Sequence, residues 1–357
     1  MAIIEINKIL DEVRLLGCSD LHFTDKIAPV VRLNGTLRTM RSQYPEMDEE
    51  EILDIVNQMT NDAQQTSVNN HRDTDFSFTT RSGYRHRVNI YFQKGKPAIA
   101  IRLLRNDIPT LEDLGLPPIL ADFSMRPRGL VLVTGPTGSG KSTTLAGMID
   151  FVNLNRSAHV ITVEDPIEYV HEHKRCMINQ REIGDDVPSF SLALRAALRE
   201  DPDVILVGEM RDFETIQAAV TAAETGHLVL STLHTTSAAD TINRIIDVYP
   251  EHQQQQIRTQ LANNLVAVIS QTLIPKKDNT GRIACMEILN VTDAISAMIR
   301  DNKIHLIQSA IQTGKQQGMM SLDQELARFV KNNVISEADA IDKCLDKQEF
   351  YRFLTQM

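Results

Sequence analysis

The sequence predicts an α/β fold: a parallel sheet with helices on both faces, preceded by a smaller α+β domain and followed by C-terminal helices. Three observations lead there. Beyond residue 118, short apolar strands alternate with helical stretches, the pattern of a parallel sheet buried on both sides. A glycine-rich segment, Gly135–Ser142, lies between one such strand and a helix. The first hundred residues lack this alternation and read instead as short strands mixed with amphipathic helices.

The 357 residues suggest two domains, at roughly 100–200 residues each. With 42% hydrophobic and 24% charged residues, the chain has the balance of an ordinary soluble protein and ample material for a core. Its net charge, 37 − 47 = −10, argues against a general DNA- or RNA-coating role and leaves room only for local basic clusters. Apolar runs such as Gly129–Val133 fall far short of the ~20 residues that span a bilayer, so any membrane attachment is expected to be peripheral. The N-terminal residues mix charges through their apolar positions and do not read as a secretory signal. Cys18, Cys176, Cys285 and Cys344 lie far apart with no CxxC pair, which fits a reducing, cytosolic compartment.

In the first block, residues 1–105, Ile6, Ile9, Leu10, Val13 and Leu16 recur at helical spacing and predict a helix ending at Gly17. Strand-like runs follow at Leu21–Phe23, Val30–Leu33 and Thr36–Met40. Asn34-Gly35 joins the last two, a pair that tolerates the positive φ of a tight hairpin. Asp48 with Glu51 has the capping-box pattern and opens a helix through Met59. Strands at Tyr84–Phe92 and Ala98–Leu104 flank a turn at Gln93–Pro97. From 106 to 118 periodicity fades and Pro109, Gly115, Pro117 and Pro118 collect, which predicts a linker. Apolar strands at Leu130–Val133, Val160–Val163, Val204–Val207 and Leu228–Leu233 then define a core over 119–290. From Thr292 the chain reads as helical apart from a break at Gly314–Gly318, giving a C-terminal helical subdomain at 291–357.

Gly135, Pro136, Thr137, Gly138, Ser139, Gly140, Lys141 and Ser142 match GxxxxGK[ST] in full, and Thr143 continues into a helix predicted over Ser142–Val152. Glycines let the backbone wrap closely enough for its N–H groups to meet phosphate oxygens, helped by the helix dipole. Lys141 adds a point charge for the β- and γ-phosphates, and the Ser142 hydroxyl is suited to Mg²⁺. A chance glycine-rich turn is the competing reading, and strand, loop and helix in order speak against it.

Two strands end in carboxylates. Glu164 follows Val160–Val163, and Glu209 follows Val204–Val207 with Gly208 where a conventional Walker-B aspartate would sit. Hydrolysis needs one carboxylate to orient or deprotonate water and another to hold the metal or its waters. The bland alternative for either is a surface or capping acid. His227 and His234 bracket Leu228–Leu233. His234, past the C-terminal end, could donate to a γ-phosphate. His227 lies toward the opposite edge, where a structural histidine is an equal reading. In the first block, alternation puts Arg85, Arg87 and Asn89 on one strand face. If Phe92 pairs with Ile99, Asn89 faces Arg102 and three arginines gather with no acid between them. A nucleotide's γ-phosphate from a neighbouring subunit would be one fit; a solvated polar face is the other.

At Leu198–Asp212 the chain resembles the type II secretion and type IV pilus ATPases. The cradle at 135–142, an acidic box Ile161–Tyr169 and a histidine box Thr225–Thr235 follow in that superfamily's order, and Ser19–His22 and Tyr84–Asn89 extend the likeness over nearly the whole chain. It is most similar to the family's pilus-retraction branch. The extra N-terminal domain and four-cysteine insert of the assembly and secretion members are not expected, since Ser270–Arg282 stands where the insert would fall. The resemblance implies a RecA-like P-loop core, a PAS-like first domain, ATP and Mg²⁺ as ligands, and a cytoplasmic homohexamer at the inner-membrane face. It further implies Glu164 as catalytic glutamate and Glu209 in the Walker-B and metal role beside Ser142. His234 becomes a phosphate sensor and His227 a further member of the box, while Arg85, Arg87 and Arg102 reach nucleotide across the subunit interface. An inner-membrane pilus platform protein is the implied partner, and nucleic acid is not. One departure stands out. The branch's Ala-Ile-Arg-Asn-Leu-Ile-Arg-Glu stretch reads Ala294-Ile-Ser-Ala-Met-Ile-Arg-Asp301, which keeps Arg300 only among its arginines. Retraction of a pilus is the expected task, with an accessory motor, a secretion ATPase or a non-hydrolysing scaffold as alternatives.

Overall fold

The computed structural model describes residues 4–33, 35–104, 107–278 and 280–356, and the chain divides into two compact units, Met1–Asp107 and Ile108–Met357. Asn34 of the predicted hairpin, Arg105 and Asn106 at the predicted domain end and linker, and Asn279 lie outside the described residues.

In the first unit, α1 (Ile6–Leu15) buries Ile6, Ile9, Leu10 and Val13, and Gly17 follows with φ +74. Then come β1 (Asp20–Phe23), β2 (Val30–Leu33) and β3 (Thr36–Thr39), the last two antiparallel as the hairpin reading expects. Helix α2 (Glu49–Met59) starts at a formed capping box: Asp48 accepts from the Glu51 N–H, and the Glu51 carboxylate accepts from the Asp48 N–H. Two elements not anticipated above follow, the polar α3 (Asp62–Asn69) and β4 (Thr74–Thr79), which turns Phe76 into the core. Strands β5 (Arg85–Gln93) and β6 (Lys96–Leu103) complete an antiparallel sheet ordered β3-β2-β1-β6-β5-β4.

One expectation is overturned here. Phe92 pairs with Pro97, not Ile99, so Arg87 lies directly opposite Arg102 and Asn89 opposite Ala100. Lys94 (φ 51) and Gly95 (φ 79) both take positive φ, so two residues close the turn and the strands run closer to it than a five-residue loop allows. Pro97 is tolerated because β1 pairs with β6 only from Ile99 onward, leaving its missing N–H outside that ladder.

The second unit opens with α4 (Ile119–Ser124) and β7 (Gly129–Thr134), then α5 (Lys141–Asn155), β8 (His159–Glu164), β9 (Met177–Glu182) and α6 (Phe190–Ala197). It continues with β10 (Val204–Val207), α7 (Phe213–Glu224), β11 (Leu228–Leu233), α8 (Ala238–Asp247) and α9 (Glu251–Asn264). A long hairpin follows, β12 (Leu265–Pro275) and β13 (Arg282–Asn290), and then α10 (Asp293–Arg300), α11 (Ile307–Thr313), α12 (Leu322–Lys331), α13 (Glu337–Lys343) and α14 (Lys347–Gln356). The sheet order is β13-β12-β7-β11-β10-β8-β9, parallel except for the antiparallel edge strand β13. Both faces are covered. Leu130 and Leu132 of β7 pack with α7, α8 and α9, while Val131 and Val133 pack with α4 and α5. From Ile108 the predicted linker belongs to this unit, with Leu111 and Leu116 buried beside α5. Among the described residues, no helix is long and apolar enough to cross a membrane.

Candidate functional site

The parallel strands β7, β8, β10 and β11 deliver their C-terminal ends to one sheet edge, where ligands bind in open α/β folds. After β7 the chain turns through Gly135 (φ 142), Gly138 (φ 78) and Gly140 (φ 89), the last serving as left-handed N-cap of α5. Glycine is required at the first by contact as well as angle: a Cβ on Gly135 would lie 2.2 Å from the Gln271 carbonyl oxygen. Thr137 and Gly138 are exposed and Ser139 is buried, with its hydroxyl unpartnered. Lys141 Nζ donates to the Gly135 and Pro136 carbonyl oxygens at 2.7 and 3.1 Å. Burial lowers the Lys141 pKa, against the opposing pull of Glu209 and Glu168. Ser142 is exposed on the first turn of α5, and Thr143 hydrogen-bonds the Tyr169 hydroxyl at 2.9 Å.

The two carboxylates arrive side by side, because β8 and β10 are neighbours with Val163 opposite Val207. Glu164 Oε1 accepts from Thr162 Oγ1 at 2.6 Å and from Gln180 Nε2 at 3.1 Å. Burial nonetheless pushes its pKa up to about 7, the two hydrogen bonds opposing the rise. The approach at Gly208 is tight: a Cβ there would sit 3.3 Å from both the Glu164 Cα and the Val163 carbonyl oxygen. Glu209 Oε1 receives Arg211 Nε at 2.6 Å and His234 Nε2 at 2.8 Å, so Glu209 and His234 meet as their strand positions suggest. His227 is not brought to the cradle. It precedes β11 at the far edge, where its Nδ1 lies 2.9 Å from the Ala222 carbonyl oxygen.

In the first unit Arg85, Arg87 and Arg102 do share one sheet face, but acids stand among them, contrary to expectation. Arg87 Nε lies 3.2 Å from Asp75, and Arg102 Nε 3.2 Å from Asp20, which also meets Arg32 at 3.7 Å. The row across the sheet runs Arg32, Asp20, Arg102, Arg87, four strands in register. The partners Asp20 and Asp75 escape a reading of β5 and β6 alone, since they come from β1 and β4.

The type II/IV secretion system protein family model matches residues 1–339. The chain belongs to that family. Within it, the chain is 46% identical over 97% of its length to the type IV pilus retractation ATPase PilT of Pseudomonas aeruginosa, all of which is covered. It is 38% identical over 94% of its length to the type IV pilus ATPase PilU of the same organism, 88% of which is covered. Among solved structures, the pilus retraction motor PilT with bound ADP superposes with a TM-score of 0.92 at 43% identity, covering 98% of this chain and 99% of that one.

In this family member, two site residues went unread in the sequence. Gln271, buried on β12, donates to the Ser139 carbonyl oxygen at 2.6 Å and accepts from Thr144 Oγ1 at 2.7 Å, clamping the cradle to the sheet. Gln180 holds Glu164 from β9. A glutamine inside an apolar strand run was the available signal for the first; the polar run of β9 gave none for the second.

Proposed function

We propose that this chain is a pilus retraction motor, an ATPase that converts ATP to ADP and phosphate and works as a homohexamer on an inner-membrane platform protein. The observation that carries this reading is the complete cradle, Gly135–Thr143, pinned by Gln271, in a chain 46% identical to a pilus retractation ATPase over 97% of its length. The chain is an ATPase, and its cradle takes the nucleotide's phosphates on backbone N–H groups at the start of α5, with Lys141 adding charge.

Glu164 is the group suited to receive a proton from the attacking water. With its pKa near 7, it is partly ionised at neutral pH and strong enough as a base to accept that proton. Glu209, held by His234 and Arg211, orients the second side of the site, and His234 is placed to register the γ-phosphate. The Ser142 hydroxyl and the Glu209 carboxylate are hard oxygen donors at the same sheet edge, a set that fits Mg²⁺. Once bound, that ion would supply positive charge against the triphosphate. Arg85, Arg87 and Arg102 are proposed to reach a neighbouring subunit's nucleotide, exchanging Asp75 and Asp20 for phosphate. His227 stays outside this set.

Glu164→Gln is expected to lower phosphate release by about 10²-fold or more while ADP binding is kept. Equal rates for variant and wild type would remove Glu164 from the mechanism and favour a non-hydrolysing scaffold. Deleting the gene should leave cells with many immobile pili; cells without pili would point to an assembly motor. A second reading, an accessory motor, is supported by the 38% identity to PilU and by Ser296 and Ala297 on α10, where the retraction branch has arginine and asparagine.

A further inference from the structure

Gln180 uses both ends of its amide. Its Nε2 donates to Glu164 Oε1 at 3.1 Å and to the Tyr169 carbonyl oxygen at 2.9 Å, and its Oε1 accepts the His171 backbone N–H at 2.8 Å. Both donors of the side chain are thereby committed. Strand register explains the geometry: Gln180 lies opposite Thr162, two residues before Glu164, and Thr162 and Gln180 converge on the same carboxylate oxygen. Tyr169 carries the connection onward, its hydroxyl meeting Thr143 on the first turn of α5. One amide therefore joins Glu164, the 169–171 segment and, through Tyr169, the phosphate cradle.

We propose that Gln180 is a positioning residue for hydrolysis, holding Glu164 by one oxygen and tying its aim to the segment that touches the cradle. This rests on Glu164 accepting the water's proton. Donors to a carboxylate favour its charged form, so Gln180 works against the burial that raises the Glu164 pKa. The charged groups on the elements beside Glu164 are Asp165 and Glu168 on its own segment, Glu182 opposite it on β9, Glu209 and Arg211 after the neighbouring β10, and Arg195 on α6, which packs on β8. Of these, the Glu168 charge pushes the Glu164 pKa upward, in the same direction as burial, while a hydrogen bond from the Glu168 backbone pulls it down.

Gln180→Met keeps length and removes the amide. The expected result is single-turnover phosphate release several-fold slower at pH 7, with the acid limb of its pH profile moved up by roughly half a unit or more. KM for ATP and Kd for ADP should stay within about two-fold, since the interaction serves the reacting base rather than nucleotide binding. The His171 amide should exchange faster as its acceptor is lost. An acid limb and rate left at wild-type values overturn the proposal. Should that variant not fold, Gln180→Glu serves in its place: a second carboxylate beside Glu164 moves the limb further up, and an unmoved limb again overturns the idea. Glu164→Gln in the same assay separates the two claims. Full-speed release from it removes Glu164 as the base, whereas a dead Glu164→Gln beside a wild-type-like Gln180→Met removes Gln180 alone.

Discussion

Glu164 shows how a single carboxylate can be costly to the fold and suited to the reaction. Its folded pKa, about 7, lies above the ordinary value of 4.5. The sign follows from linkage: the folded state favours the neutral form, so stability is present below pH 4.5 and is lost as pH rises through 7. Glu164→Gln should therefore stabilise the protein at pH 8 by up to about 3 kcal/mol, read as a higher melting temperature, with the gain vanishing toward pH 4.5. Melting curves of both proteins across that range check this, and a gain independent of pH would contradict the assigned cause. The Lys141 ammonium needs no neighbouring acid in hydrogen-bond contact, because two carbonyl oxygens of its own loop accept from it. The sequence announces both residues by position, one after an apolar strand and one in the glycine-rich motif. Of the two glutamines it marks only Gln271, a polar residue inside an apolar run, and the role of either amide depends on which strand lies beside it.

At the scale of elements, parallel neighbours do most of the positioning. Because β10 is hydrogen-bonded to β8 in register, Gly208 must pass the start of Glu164 closely. Restoring the conventional aspartate, Gly208→Asp, is therefore expected to hinder rather than help. It should displace Glu164 and cut phosphate release at least ten-fold, with ADP affinity changed far less, as steady-state kinetics and ADP titration would report. The apolar strands of the second unit were legible because both faces are buried, which leaves near-continuous Val, Ile and Leu runs. Helices α1 and α2 were legible from their stripe and cap. Strand β9 was not, since its polar sequence carries neither pattern, whereas Phe76 and Phe78 alternating with Asp75 and Ser77 do mark β4. The β5–β6 register lies two positions from the expected one because Pro97 belongs to the strand and not to the turn, and proline's exclusion from strands holds only where a neighbour needs its N–H.

For the whole molecule, the proposed ring motor is tested at the arginine face of the first unit. Arg87 pairs with Asp75 and Arg102 with Asp20 at the surface of the first unit, and exposed ion pairs of this kind contribute little to stability, so replacing the arginines should spare the fold. The triple variant Arg85→Ala, Arg87→Ala, Arg102→Ala is expected to assemble and bind ADP as before, yet lose at least ten-fold in phosphate release, measured beside a sizing column. Normal turnover from an intact ring would leave these arginines a structural role only. The family assignment reached from motifs rested on stretches in which chemistry constrains each residue; the acidic partners of the arginines lay outside those stretches and became visible only with the sheet assembled.

The clamp from β12 has a mechanical corollary. Gln271 grips the loop through Ser139 and Thr144, and its partner across the hairpin, Met286, gives its backbone N–H to Glu325 of α12 at 3.0 Å. Load on the last helices thus has a short, stiff route to the phosphate loop, along which tension could be traded against the grip on a triphosphate.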